Sequence, residues 1–170
     1  MFLALLSILG GAGLVLFIAY GLGVGLLRDT PAPPEIALAL GAAAESFLVF
    51  LLLLANLGYW WAFGVLGLVA ALCWKRYCRA PRADPIKQPL GKPWVVALII
   101  FGAYGIWYFV NALAPEILAD GVTYHLGLPY EYVRLAGFPN RVTFYDVVPQ
   151  GMEMLYTLAF AVGRHSAAKL

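Results

Sequence analysis

Residues 36–61 read IALALGAAAESFLVFLLLLANLGYWW. From Ile36 to Asn56 the run carries a single charge, Glu45. Its length matches the roughly 20 apolar residues that an α-helix needs to cross the hydrocarbon of a bilayer. A second apolar run begins at once, from Leu57 to Trp74, so the two spans must fold back on each other about Asn56-Leu57-Gly58. Tyr59, Trp60 and Trp61 then sit at the tip of the hairpin, at the headgroup depth that amphipathic rings favour. A hairpin of two such helices sets the class as an all-α, polytopic membrane protein.

Upstream, residues 3–27 form an apolar run closed by Arg28, Asp29 and the helix-breaking Thr30-Pro31-Ala32-Pro33-Pro34. No charge precedes Arg28, and the run exceeds the roughly 7–15 apolar residues of a signal peptide, so it is read as a retained first span. Downstream of Trp74, Lys75, Arg76, Arg79, Arg82, Lys87 and Lys92 face only Asp84, which marks a cytoplasmic loop. A fourth span, Trp94 to Leu113, carries Trp107 and Tyr108 towards its far end. Residues 114–150 then hold Glu116, Asp120, Glu131 and Asp146 against Arg134 and Arg141, the balance of an external segment. A last run, Met152 to Val162, ends at Arg164, His165 and Lys169.

The expected topology is therefore five transmembrane helices, with the amino terminus and loop 114–150 external and the carboxyl terminus cytoplasmic. Residues 1–93 make a three-helix membrane extension with its basic loop at 75–93. Residues 94–170 make a helix, the external loop and a helix.

Composition agrees: 63% of the 170 residues are hydrophobic and 12% charged, with a mean hydropathy of +0.84, far from the quarter of charged residues that covers a soluble domain. Soluble enzymes, nucleic-acid modules, disordered tails and disulfide scaffolds are excluded, and a net charge of +2 points to no polyanionic partner. Cys73 and Cys78 lack the neighbouring His or Cys of a zinc site. Gly10, Gly11, Gly13 and the pair Gly21-x-x-x-Gly25 permit close helix packing. Glu45, near the bilayer midplane, demands a partner, a wet cavity or protonation, and a neutral, hydrogen-bonded Glu joining spans is an equal reading.

In the loop, Asp120 is placed to cap a short helix through Leu126, with Tyr124 one turn on. A second short helix, Tyr130 to Ala136, would stop at Gly137. Both are amphipathic and suited to the membrane surface. Such helices hold a carboxylate and an imidazole at a cavity mouth, where a carboxylate can take a proton from a hydroxyl. Each residue also has a plain structural alternative. Asp120 would serve as a cap, His125 as a hydrogen-bonded surface group, and Glu153 as the partner of a helix dipole. Arg134 and Arg141 match phosphate oxygens, lipid headgroups and the loop's own acids alike.

Asp120-x-x-x-Tyr124-His125-Leu126, then Pro129, Tyr132 and Gly137, then Pro149-x-Gly151-x-Glu153-Met154-Leu155-Tyr156 and Ala167-Ala168-Lys169-Leu170 resemble a known pattern. It is that of the first external loop and following helix of bacterial polytopic glycosyltransferases of the GT-C fold. The resemblance covers about residues 94–170 and implies transfer of a sugar from a polyprenyl-phosphate donor to an external acceptor, in a bacterial cytoplasmic membrane. It implies that Asp120 is the catalytic base, or holds the donor phosphate through a divalent cation. Substrate contacts would come from Tyr124, His125, Arg134, Arg141 and Glu153. The implied partners are the lipid-linked donor, membrane lipids and further membrane helices or subunits, with no nucleic acid. Gly121 stands where the family often has a second acid. The full fold needs more spans, so the chain reads as the amino-terminal part of a longer enzyme, incomplete alone. The competing reading is a non-catalytic membrane assembly or interaction protein, in which Glu45 bridges helices or conducts protons.

Overall fold

The computed structural model describes residues 2–28, 30, 32–77, 91–114, 117–147 and 150–170, and every regular element among them is helical. In chain order these are α1 (Phe2–Leu27), α2 (Pro34–Leu54), α3 (Trp60–Tyr77), α4 (Lys92–Leu113), a π-helical turn (Gly121–His125), α5 (Gly127–Leu135), a 3₁₀ turn (Phe144–Val147) and α6 (Gly151–Lys169). Three segments, Leu5–Leu27, Pro34–Leu54 and Pro93–Leu113, are long and apolar enough to cross a membrane. The basic stretch 78–90, with Cys78, lies outside the described residues.

α1 and α2 pack antiparallel through backbone. The Gly23 Cα faces the Ala37 carbonyl and the Gly41 Cα faces the Ala19 carbonyl, so tightly that a side chain at either glycine would collide with main chain. Without a Cβ at those positions the two axes approach closely and gain dispersion along their length. The α2 face turned inward is Ala37, Gly41, Glu45, Val49 and Leu53, an unbroken i, i+4 stripe. α3 joins the other side of α1, where a Cβ on Gly21 would lie 2.6 Å from the Ala70 carbonyl oxygen. The Trp74 ring packs against Phe17 and Tyr20, with centroids 5.4 and 5.7 Å away.

The α2–α3 hairpin turns where the sequence places it. Asn56 takes the left-handed conformation, with φ 56°, and Leu57 N–H donates to the Leu52 carbonyl at 2.8 Å. The loop after α4 docks on this turn, the Gly58 N–H donating to the Ala136 carbonyl at 2.9 Å. α5 starts at Gly127, earlier than the expected Tyr130, because Pro129 is compatible with a first helical turn. It ends on Ala136 in the left-handed region, with φ 54°, rather than on Gly137. Gly137 serves proximity instead, since a Cβ there would meet the Asn56 side chain and lie 3.0 Å from the Leu53 carbonyl oxygen.

The expected fifth crossing takes a different form. α6 begins where the Ser46 hydroxyl donates to the Gly151 carbonyl at 2.8 Å. It then runs over α1, where a Cβ on Gly11 would lie 2.8 Å from the Ala159 carbonyl oxygen. The helix breaks at Arg164, with φ 60° and ψ −161°, a conformation costly for any residue with a Cβ. Beyond the break, Lys169 Nζ donates to the carbonyls of Asn111 (3.3 Å) and Ala114 (3.0 Å), and Tyr108 Oη donates to the Lys169 carbonyl at 2.8 Å. The end of α6 thus lies at the same end of α4 from which the loop departs, not on the opposite side as the basic residues implied. The reason is that α6 carries Glu153 and Lys169 and satisfies both by protein contacts, while its small residues fit α1. α3, 18 residues long, is shortened as an apolar span by Trp60 and Trp61 at one end and Lys75 and Arg76 at the other.

One consequence is measurable by thermal unfolding of the chain in nanodiscs, followed by circular dichroism. Gly41→Val should destabilise by about 1–3 kcal/mol, the usual range for overpacking. Gly64→Ala and Gly102→Ala, which face open space, should leave the transition unchanged or slightly raised.

Candidate functional site

The π-helical turn places the central group of the site. Leu126 N–H donates to the Gly121 carbonyl at 2.9 Å, one residue further back than in an α-helix. The widened turn sends Tyr124 into the core, stacked on Tyr145 at 5.5 Å, while the adjacent His125 ring points along the loop surface. Gly127 permits this, because a Cβ there would strike the Val122 carbonyl. Asp120 is itself helical, with φ −65° and ψ −47°, and makes no capping hydrogen bond. Its carboxylate turns to the imidazole instead.

Three side chains form a line from solvent to core. Asp120 Oδ2 lies 3.4 Å from His125 Nε2, and His125 Nδ1 donates to Glu153 Oε1 at 2.8 Å. Their side chains are 71%, 43% and 3% exposed, so the imidazole links an exposed carboxylate to a buried one. Glu153 lies in the first turn of α6, where the helix dipole favours a negative charge. Tyr124 is hydrogen bonded to Glu153 as well. Burial, then the charge and hydrogen bond of Glu153, then the charge of Asp120 push the Tyr124 phenol above its ordinary ionisation range. Each of these favours the neutral phenol, which donates to the carboxylate.

The line opens into a cavity of about 660 Å³ bordered by Tyr108, Asn111, Asp120, His125, Tyr156 and Lys169. Tyr156 meets the His125 ring edge-on at 6.5 Å. The structure therefore unites four of the six expected site residues: Asp120, Tyr124, His125 and Glu153. It keeps the two arginines away. Arg141 is paired with Glu131 at 2.6 Å and borders a separate groove of about 650 Å³ beside Ser46, Phe47 and Phe50 of α2. Arg134 is exposed on α5 and borders neither cavity. Lys169 and Tyr156, which the sequence offers only as a flanking base and as part of the quoted motif, were not expected as site residues. Tyr156 follows Glu153 by three residues, a one-turn spacing that a helical reading of α6 could have flagged, whereas nothing local marks Lys169.

The donor set does not suit the divalent cation that the family resemblance implies. Asp120 and Glu153 occupy opposite nitrogens of one imidazole, so their carboxylates do not converge on a common point. Among the described residues no group of three or more His, Cys, Asp or Glu is arranged to hold a metal ion. Compared with family models, curated proteins and solved structures, the chain matches none.

The Tyr124 environment can be read by ultraviolet titration of the phenolate, with Tyr124→Phe to assign the signal. Glu153→Gln should shift that ionisation to lower pH, because it removes a negative charge beside the phenol. An unmoved titration would show that Glu153 carries no charge there.

Proposed function

We propose that the chain is the amino-terminal part of a GT-C-type membrane glycosyltransferase that transfers a sugar from a polyprenyl-phosphate donor to an external acceptor. The observation that carries this reading is the placement of Asp120 and His125 on one cavity beside a membrane helix, with Glu153 of α6 buried behind the imidazole and paired to it. In this reading α3 crosses the bilayer with the three longer helices, and the hairpin tip and segment 114–150 face the outside of a bacterial cytoplasmic membrane.

Asp120 takes the proton of the acceptor hydroxyl as that oxygen bonds to the anomeric carbon. The bond from that carbon to the donor phosphate breaks, and the phosphate leaves with the electron pair. Glu153, fixed in the core, orients His125 through Nδ1, and His125 positions the Asp120 carboxylate through Nε2. The cation bordering the cavity is Lys169, which takes over in this scheme the phosphate-neutralising role expected of Arg134 and Arg141. No step runs through a metal.

A second reading, a membrane assembly protein, draws on α4. Trp94, Leu98, Ile99, Phe101 and Trp107 are exposed along it, and its principal contact is with α6 alone. Such a helix suits further membrane helices, from the same enzyme or from a partner.

Binding of a polyprenyl-phosphate sugar to the chain in nanodiscs separates the two. Saturable binding should weaken about tenfold or more, roughly 1.4 kcal/mol, in Lys169→Ala, and should not weaken in Arg134→Ala or in Asp120→Asn, whose carboxylate acts on the acceptor. Equal binding by all four proteins, or no binding by any, would remove the donor site from this cavity.

A further inference from the structure

We infer that Glu45 is a proton-binding site that locks α6 onto the α1–α2 pair: its carboxyl is protonated while α6 is docked, and its ionisation releases α6. This stands apart from the sugar-transfer reading. Glu45 is 0% exposed, and among the described residues neither of its carboxyl oxygens has a hydrogen-bond partner. It occupies the centre of the inward stripe of α2, a segment apolar enough to span a membrane. The contacts of Gly41 with Ala19 and of Ala37 with Gly23 set an antiparallel register that brings Val15 of α1 opposite it.

Among the described residues the surrounding elements place no base beside Glu45. α1 contributes no acid or base, Tyr20 being its single ionisable side chain. On α3 the ionisable groups are Lys75, Arg76, Tyr77 and Cys73, all in its second half, and on α2 itself Glu35 lies ten residues away. On α6, Glu153 is engaged by His125 and Tyr124, Tyr156 borders the cavity, and Arg164, His165 and Lys169 lie at or beyond the break. A buried carboxylate without donor or cation in such surroundings costs several kcal/mol, whereas the neutral acid tolerates them.

The neighbour of Glu45 shows which contact yields. Ser46 donates to the first residue of α6, Gly151, so the start of α6 is fastened one residue from the buried acid. The α1–α2 contact is backbone against backbone over two glycines and cannot part without losing the hairpin's core. α6 is held by that hydroxyl, by the approach of Gly11 and Gly163, by Leu158 and Met154 in the core, by the His125–Glu153 pair and by the contacts of Lys169 with α4. Ionisation of Glu45 draws in water, and α6 is the element that moves to admit it. Because α6 carries Glu153, its release withdraws the buried carboxylate from His125.

The test uses the whole chain in nanodiscs. Infrared spectra should show the carbonyl band of a protonated carboxylic acid at neutral pH, absent in Glu45→Gln and lost from the native chain as pH rises. Hydrogen exchange of residues 151–163, corrected for the intrinsic pH dependence, should lose at least tenfold in protection over the same rise. Glu45→Gln, neutral at every pH, should keep its protection throughout. No such band in the native chain at neutral pH overturns the assignment, a measurement that needs no variant. The same exchange profile in native and Glu45→Gln chains overturns the lock.

Discussion

The close approach of α1 to α2 governs the rest of the molecule. Gly23 and Gly41 bring carbonyl and Cα of the two helices together, leaving no room for a side chain between them. That contact sets the rotation of both helices. It turns Val49 and Leu53 to the core with Ile18 and Leu22, and it buries Glu45 between them. It also leaves a furrow over the small residues of α1 near Gly11, which α6 fills with Ala159, Gly163 and Ala167. Among elements with little hydrophobic drive between them in lipid, such complementarity of small surfaces is the main source of specific association.

The candidate site inherits its geometry from this scaffold in two steps. The α2–α3 turn presents the Gly58 N–H and the Asn56 side chain to the end of α5, which anchors the loop. Tyr132, 1% exposed, then inserts into the core and donates to Gln150 Oε1 at 2.6 Å, tying α5 to the start of α6. With both ends of the loop held, the π-helical turn and the first turn of α6 face each other, and His125 bridges them to Glu153. Asp120 remains outside on the solvent side. A buried acid that holds a half-exposed imidazole beside an exposed acid is a directional arrangement: one carboxylate is open to solvent, while the other keeps the ring in place.

Much of this was legible in the sequence because it rests on local rules. The apolar runs, the hairpin about Asn56-Leu57-Gly58 and the short helices of the loop follow from period, length and breaker residues. Asp120, Tyr124, His125 and Glu153 stand out by residue type and by the family resemblance, and the structure brings these four side chains together. What escaped was non-local. That Gly137 serves proximity and Ala136 the turn depends on Leu53 and Asn56. That Arg141 belongs to Glu131 depends on how the loop folds back over ten residues. The π-helical turn differs from an α-helical one by a single residue of register, below what composition can signal.

The last helix shows most clearly why sign and spacing of charges can mislead. Basic residues after an apolar run ordinarily mark a cytoplasmic flank, because headgroup and potential terms favour them there. That inference assumes the charges find no better partner. Lys169 does find one, since two carbonyls at the end of α4, those of Asn111 and Ala114, accept hydrogen bonds from its ammonium. Glu153 likewise finds His125, and the run between them, with Thr157, Gly163 and Ser166, is matched to a protein surface rather than to lipid. A segment of about twelve apolar residues flanked by charges falls short of a full crossing, and satisfying both flanks on one side of the bundle requires the chain to turn. The break at Arg164 supplies that turn, its backbone strain offset by the contacts that Lys169 and Tyr108 make beyond it.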